Sequence, residues 1–252
     1  MHDASWKKIF EDYNIYAHDF DKSPYIITAE QIKRACQDFK NTGEKEVRIL
    51  CKQDTRESRP QVFKDMGLFI LPIKNGEYAI IKGEGYVDIP KIGGNPIKYF
   101  SKLDFNLDTV TIGDSEMQHL DYAYATSLIR TFLDDNTLVL TIRGRKYTPS
   151  FRFYVGKHNL EVKGVQTEVD AGFEGKEKVV LIEAKNRQES NVIIRQLYYP
   201  YRQWQQATKK KVIPIFSEKV DKIFMLYQFE FTELENYNSI RLVKSGKFLI
   251  VK

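Results

Sequence analysis

Val179-Val-Leu-Ile-Glu-Ala-Lys185 runs four apolar residues into an acid, an alanine and a base. Such an apolar run describes a strand buried on both faces. It ends in Glu183 and Lys185, which share one face because strand side chains alternate with period two. Charges at the end of a buried strand are costly unless they are used. Upstream, Asp170 closes a predicted strand over 160–170, and the Gly-containing connection 172–178 leads from it into the first strand. A hairpin here sets Asp170 beside Glu183. Two carboxylates at adjacent strand ends make a hard oxygen site suited to Mg²⁺. A lysine beside them can hold an attacking water or neutralise charge on a phosphate. The plain alternative is a structural salt bridge at a sheet edge.

Outward from this segment the elements repeat a simple order. Ser115-Glu116-Met117-Gln118 reads as a capping box, opening a helix with Met117, Leu120, Tyr124, Leu128 and Phe132 on one face. Strands are predicted over 137–142 and 150–155 before the Asp170 strand. A second helix is predicted over 191–208, with Ile194, Leu197, Tyr201 and Trp204 as its apolar seam, then strands over 211–216 and 222–229 and a hairpin turning at Ser245-Gly246. The expected class is α/β (α+β): a mixed central sheet flanked by helices.

Turn signals at Gly93-Gly94-Asn95-Pro96 and Gly113-Asp114 mark a soft border, dividing an N-terminal region, 1–110, from a core, 111–252. In the first region Thr28 and Gln31 form a capping box for a helix reaching Phe39. Asn75-Gly76 between apolar runs signals a hairpin. Helix, basic stretch and hairpin together suggest a winged-helix-like extension.

Composition bounds the class without choosing the function. The 252 residues are 42% hydrophobic and 13% aromatic, which excludes disorder, and 39 basic against 34 acidic side chains leave a mild +5. Cys36 and Cys51 make neither a disulfide framework nor a zinc site. The charged N-terminal stretch lacks a signal peptide's apolar segment, and no apolar run can span a bilayer. The expectation is a cytoplasmic protein, with no membrane partner and no organic cofactor.

Asp170 followed by Glu183-Ala184-Lys185 resembles the PD-(D/E)xK nuclease superfamily, with Val169 where that pattern carries proline. Glu168-Val-Asp-Ala-Gly-Phe-Glu-Gly175, Ile182-Glu-Ala-Lys-Asn186 and Ile194-Arg-Gln-Leu-Tyr-Tyr-Pro-Tyr-Arg202 are similar to a group of bacterial type II restriction endonucleases. The likeness covers roughly the second half of the chain. It implies a restriction-endonuclease-like core that cuts double-stranded DNA at a specific sequence with Mg²⁺. It also implies Asp170, Glu183 and the Ala184 carbonyl as metal ligands and Lys185 as the group assisting water attack.

Around this centre, Gln196 is a candidate to orient water or touch DNA, or else a polar cap on its helix. Glu116 is either an extra acid of the site or an acid favoured by the helix dipole. Glu168, two residues before Asp170, is expected to share its face, as a residue behind the site or simply an outward one. Arg195, Tyr199 and Arg202, at helical spacing opposite the apolar seam, are candidate backbone contacts or an ordinary solvated face. Arg143, Arg145 and Lys146, expected at a turn, suit phosphate clamping, and Arg56 and Arg59 open the expected reading segment. His119 and His158 lack metal-ligand spacing and read as structural. A homodimer would match a palindromic site, whereas monomers that nick sequentially share the same core. The alternatives are a repair or recombination nuclease of the same fold and a DNA-binding protein without catalysis.

Overall fold

The computed structural model describes residues 2–251, so Met1 and Lys252, the outermost residues of the two expected regions, lie outside it. The N-terminal part runs α1 (Asp3–Asp12), β1 (Tyr25–Thr28), α2 (Ala29–Ala35), α3 (Thr42–Lys45), α4 (Val47–Leu50), α5 (Gln61–Asp65), β2 (Leu68–Lys74) and β3 (Glu77–Lys82). The predicted capping box forms: Gln31 N donates to Thr28 Oγ1 at 3.2 Å and Thr28 N to Gln31 Oε1 at 2.8 Å. The helix it opens stops at Ala35, short of Phe39. The hairpin turns at Asn75-Gly76 with Gly76 at φ +77°, a conformation glycine adopts without steric cost. The three strands pair antiparallel in the order β1-β3-β2. Leu68, Ile70 and Ile80 face the N-terminal helices, while Phe69, Leu71 and Ile81 enter the core shared with the rest of the chain. Being covered on both faces explains the continuous apolar run from Leu68 to Leu71.

Beyond these come β4 (Tyr86–Asp88), β5 (Ile97–Phe100), α6 (Glu116–Ala125), α7 (Leu128–Phe132), β6 (Val139–Tyr147), β7 (Phe151–Val155), β8 (His158–Val162), β9 (Gln166–Glu174), β10 (Lys178–Lys185), β11 (Asn191–Ile193), α8 (Arg195–Ala207), β12 (Lys211–Val220), β13 (Ile223–Phe231) and β14 (Ile240–Val251). Seven strands form one mixed sheet, ordered β5-β14-β13-β12-β10-β9-β6. β6, β9 and β10 pair antiparallel; α8 then crosses to β12, which lies parallel to β10. The protein is thus mixed α+β, with a large central sheet flanked by helices. α6 and α7 cover one face, and α8 with the β7–β8 hairpin covers the other. β5 lies on the N-terminal side of the border expected at 110 and forms an edge of this sheet. Among the described residues no helix is long and apolar enough to cross a membrane.

Several expectations need correction. The helix expected to run past residue 125 breaks at Ser127, whose φ of +66° ends α6 and starts α7, and Met117 is exposed. Arg143, Arg145 and Lys146 lie in β6 and not at a turn; Gly144 (φ +78°) carries an irregularity within the strand. Residues 191–193 form a short strand with β4, so α8 begins at Arg195. Ser245-Gly246 lies mid-strand in β14, opposite Tyr227 and Leu226, and no hairpin forms there. A Cβ on Gly246 would come within 2.5 Å of the Phe248 ring, so close packing, not a turn, accounts for this glycine.

Candidate active site

Asp170 does not end its strand. It sits inside β9, which continues to Glu174, and the connection to β10 spans only residues 175–177. The antiparallel register ends with Ile182 opposite Ala171, the neighbours in sequence of Glu183 and Asp170. Between residues 169 and 172 the pairing with β6 slips by one residue. Val169 packs on the α8 side of the sheet and Ala171 on the opposite side, with Phe173. A bulge of this kind re-aims a side chain, and here it falls on Asp170. It also undoes the simple alternation that would have put Glu168 and Asp170 on one face.

The local bonding holds the acids in place. Ala184 N donates to Asp170 Oδ2 at 2.8 Å, so a side chain fills the place of a ladder bond. Lys185 Nζ donates to Glu183 Oε1 at 2.5 Å and to the Ala184 carbonyl at 3.1 Å. Gln196, in the first turn of α8, donates its Nε2 to the same Glu183 Oε1 at 2.8 Å, while its Oε1 is buried without a partner among the described residues. Among those residues no protein donor reaches Asp170 Oδ1 or Glu183 Oε2 either. Pro200, inside α8, has no N–H to return to the Gln196 carbonyl. Beneath Glu183 and Gln196 a cavity of about 10 Å³ reaches Val169, Leu197 and Pro200.

The electrostatics follow from burial. Glu183, only 9% exposed, is pushed up to about 7 by desolvation, which Lys185 opposes and Asp170 reinforces. Burial also raises Asp170, against the Ala184 N–H and the Lys185 charge. Lys185 loses from burial and gains more from Glu183, so it keeps its proton more firmly than a free lysine. Glu116 is half-buried at the start of α6, and its charge bears on both Asp170 and Lys185. Its helix is tied to the site by Asn186, which donates to the Asp114 carbonyl and pairs with His119 Nδ1 at 2.8 Å. Ser115 caps α6, but Gln118 turns to the Thr109 and Ile112 carbonyls, so only half the expected capping box forms.

The remaining candidates divide by burial. Tyr199, expected on an outward face, is fully buried, its hydroxyl donating to the Pro72 carbonyl at 3.0 Å. Arg202 is 4% exposed and bonds to the Arg152 and Leu234 carbonyls and the Tyr198 hydroxyl, with its guanidinium 4.8 Å over the Phe151 ring. Neither can meet a duplex. The cause is that α8 is buried on both sides, between the large sheet and the β7–β8 hairpin. Arg56 pairs with Asp88 and Glu84, and Arg59 donates to the Arg56 and Leu68 carbonyls; both lie over the Tyr86 ring and act as internal clamps. Arg195 is half-buried, close enough to the Tyr78, Tyr86, Tyr199 and Tyr237 phenols to hold each below where burial would put it. Arg143 pairs with Asp121. Only Arg145, bonded to Glu168 at 3.2 Å, and Lys146, 5.9 Å over Trp204, are strongly exposed.

Residues 81–249 match the family described as Domain of unknown function (DUF6997). The chain belongs to that family. Residues 3–80 match a second, Domain of unknown function (DUF6996), and the join between the two falls inside β3. All five candidate catalytic residues lie in the DUF6997 segment. Neither a curated protein nor a solved structure matches the chain.

Whether Mg²⁺ suits these residues is a matter of donor chemistry. Among the described residues no three His, Cys, Asp or Glu side chains gather in metal-holding geometry. What lies together is two carboxylates and the Ala184 carbonyl, with the Gln196 amide bonded to Glu183 through its Nε2. All are hard oxygen donors, and Mg²⁺ usually binds through one or two carboxylates while keeping several waters. The donor set fits. Sequence reasoning missed Asn191 and Glu218. Asn191 ties residues 56–57 to β11, while Glu218 accepts from Glu189 N at 2.6 Å and holds the turn after Lys185. No periodicity marks such long-range polar contacts.

Proposed function

We propose that the protein is a Mg²⁺-dependent endonuclease of the PD-(D/E)xK type, acting on double-stranded DNA as a sequence-specific restriction enzyme. The observation that carries this is the Asp170 carboxylate bonded to the Ala184 N–H beside Glu183, with Lys185 and Gln196 bonded to one Glu183 oxygen. A helix, three antiparallel strands, a crossing helix and a parallel strand fit the restriction-endonuclease-like core that the resemblance implies. The strand order β1-β3-β2 behind a run of helices supports a winged-helix-like recognition part.

Asp170, Glu183 and the Ala184 carbonyl would hold the ion. When bound, Mg²⁺ supplies a lowered pKa for water and charge neutralisation at the phosphate. Lys185 stays protonated and offers a fixed positive charge to the developing phosphorane oxygens. Gln196 orients Glu183, and the Ala184 N–H fixes Asp170. Arg145 and Lys146 are left as the exposed candidates for the DNA backbone.

Incubating the purified protein with plasmid DNA, with and without Mg²⁺, tests the reading. Discrete fragments only with Mg²⁺ are expected. A smear would favour a repair or recombination nuclease, and intact plasmid under both conditions would leave a DNA-binding protein without catalysis.

A further inference from the structure

β6 is an edge of the central sheet, and its last three residues, Arg145, Lys146 and Tyr147, are all exposed. Charge on an edge strand is the common guard against pairing with another chain, but here aromatic rings stand with the charges. Tyr147 is 65% exposed. Lys146 Nζ lies 5.9 Å over the Trp204 ring and meets no carboxylate within ion-pair distance among the described residues. Trp204, in α8, packs partly on the core and is partly open. Gln203 accepts from Thr167 Oγ1 at 2.8 Å and donates to the Tyr147 carbonyl at 3.4 Å. It thus staples the end of β6 and the start of β9 to the helix turn that carries Trp204, so both rings are held before anything binds.

Charge and place point the same way. α8 contains no acid from Arg195 to Ala207, and Glu168 beside this edge is bonded to Arg145 at 3.2 Å. Tyr147 stands opposite Gln166, four residues before Asp170 on β9. At roughly 3.3 Å per residue that is about 13 Å along the strand. Glu168, opposite Arg145, also lines the small cavity beside Glu183 and Gln196. A strip of basic and aromatic side chains therefore leads away from the candidate centre.

We propose that Tyr147 and Trp204, with Arg145 and Lys146 beside them, form a stacking surface for an unpaired DNA strand next to the centre at Asp170 and Glu183. The inference takes its DNA substrate from the nuclease reading above and rests on it to that extent. Basic side chains alone would serve a duplex, which turns its phosphates outward and keeps its base faces stacked inside. An aromatic ring gains from a base only where that face is free, and a single strand offers one at every nucleotide, whatever the sequence. The DNA is then unpaired on one side of the cut.

The chain has two tryptophans, and Trp6 is wholly buried with its indole N–H on the Leu50 carbonyl. Quenching of tryptophan emission by added DNA therefore reports Trp204. The test titrates the full chain in EDTA, so that nothing is cut, with a mixed-sequence single-stranded oligonucleotide and with its duplex. Emission is followed together with the anisotropy of a labelled strand. Single strand should quench the wild type and leave Trp204→Phe, which keeps an apolar ring against the core, unquenched. Tyr147→Ala, at an exposed position, should weaken single-strand binding roughly tenfold and duplex binding less than about twofold. Single-strand binding without quenching, equal quenching by duplex, or wild-type binding by Tyr147→Ala would each overturn the proposal. So would failure of both DNA forms to bind, which would leave this surface to a protein partner. Quenching by a protein that leaves plasmid intact in Mg²⁺ keeps the strand-binding surface and removes the nuclease reading. Cleavage without quenching does the reverse.

Discussion

Two buried charged clusters lie on α8, less than two turns apart, and they are finished differently. At the first turn, Glu183, Asp170, Lys185 and Gln196 share a few bonds, while one buried amide oxygen and two carboxylate oxygens receive no donor from the described residues. Further along, Arg202 spreads its charge over two carbonyls, a tyrosine hydroxyl and an aromatic face, leaving its Nε without a partner among those residues. The second cluster is a cross-brace joining α8 to β7 and to the segment before β14. The first holds acids at some energetic cost, and on that cost the proposed cation site rests.

After loss of Asp170 itself, Lys185→Met gives the largest expected change. Removing a fixed charge from the proposed phosphate site should cost about 4 kcal/mol of barrier, or roughly 10³-fold in single-turnover plasmid cleavage, with the fold intact by circular dichroism. Arg202→Met should do the reverse. It leaves buried carbonyls and a hydroxyl unpaired and costs about 3 kcal/mol in urea unfolding, while cleavage per folded molecule stays near wild type. Arg202→Met that abolishes cleavage in a stably folded protein would break the contrast.

Much of this is legible along the chain, and the failures are informative. The strand Val179–Lys185 can be read because its apolar run and its terminal charges sit close together, and the helix after it and the strand that follows can be read from periodicity. The role of Tyr199 and Arg202 cannot. A polar stripe on a helix looks solvated until a second layer, here the β7–β8 hairpin inserted between β6 and β9, covers it. Asp170 can be picked out as a residue but not placed within its strand, because a bulge leaves no mark in the alternation that sequence patterns rely on. Arg56 and Arg59 read as a basic surface, since their partners Asp88 and Leu68 become neighbours only through folding.

The pH dependence sharpens the contrast at a smaller scale. Burial raises Glu183 from 4.5 to about 7, so below about pH 7 the folded protein holds this acid protonated. The stability contributed by this group is complete below pH 4.5 and is lost as pH rises through about 7. Mg²⁺ needs the carboxylate, so its apparent affinity should fall by up to about tenfold per pH unit below about 7 and level off above it. Melting curves with and without Mg²⁺ at about pH 5.5, 6.5 and 8, which bracket that transition, would show this; a flat Mg²⁺ response across the range would contradict it. The smallest effect is expected at Arg145→Ala, an exposed residue paired with Glu168. Duplex binding should weaken by about two- to threefold, with a shallower salt dependence. An unchanged salt slope would remove Arg145 from the DNA-facing surface.

The catalytic role of the Asp170–Glu183 pair is tested most directly by following supercoiled plasmid under single-turnover conditions in Mg²⁺, with wild type and Asp170→Asn at matched thermal stability. Wild type should convert the plasmid until the ion is chelated, and the variant should lose roughly 10³-fold or more in rate. Cleavage by Asp170→Asn at the wild-type rate would contradict this assignment.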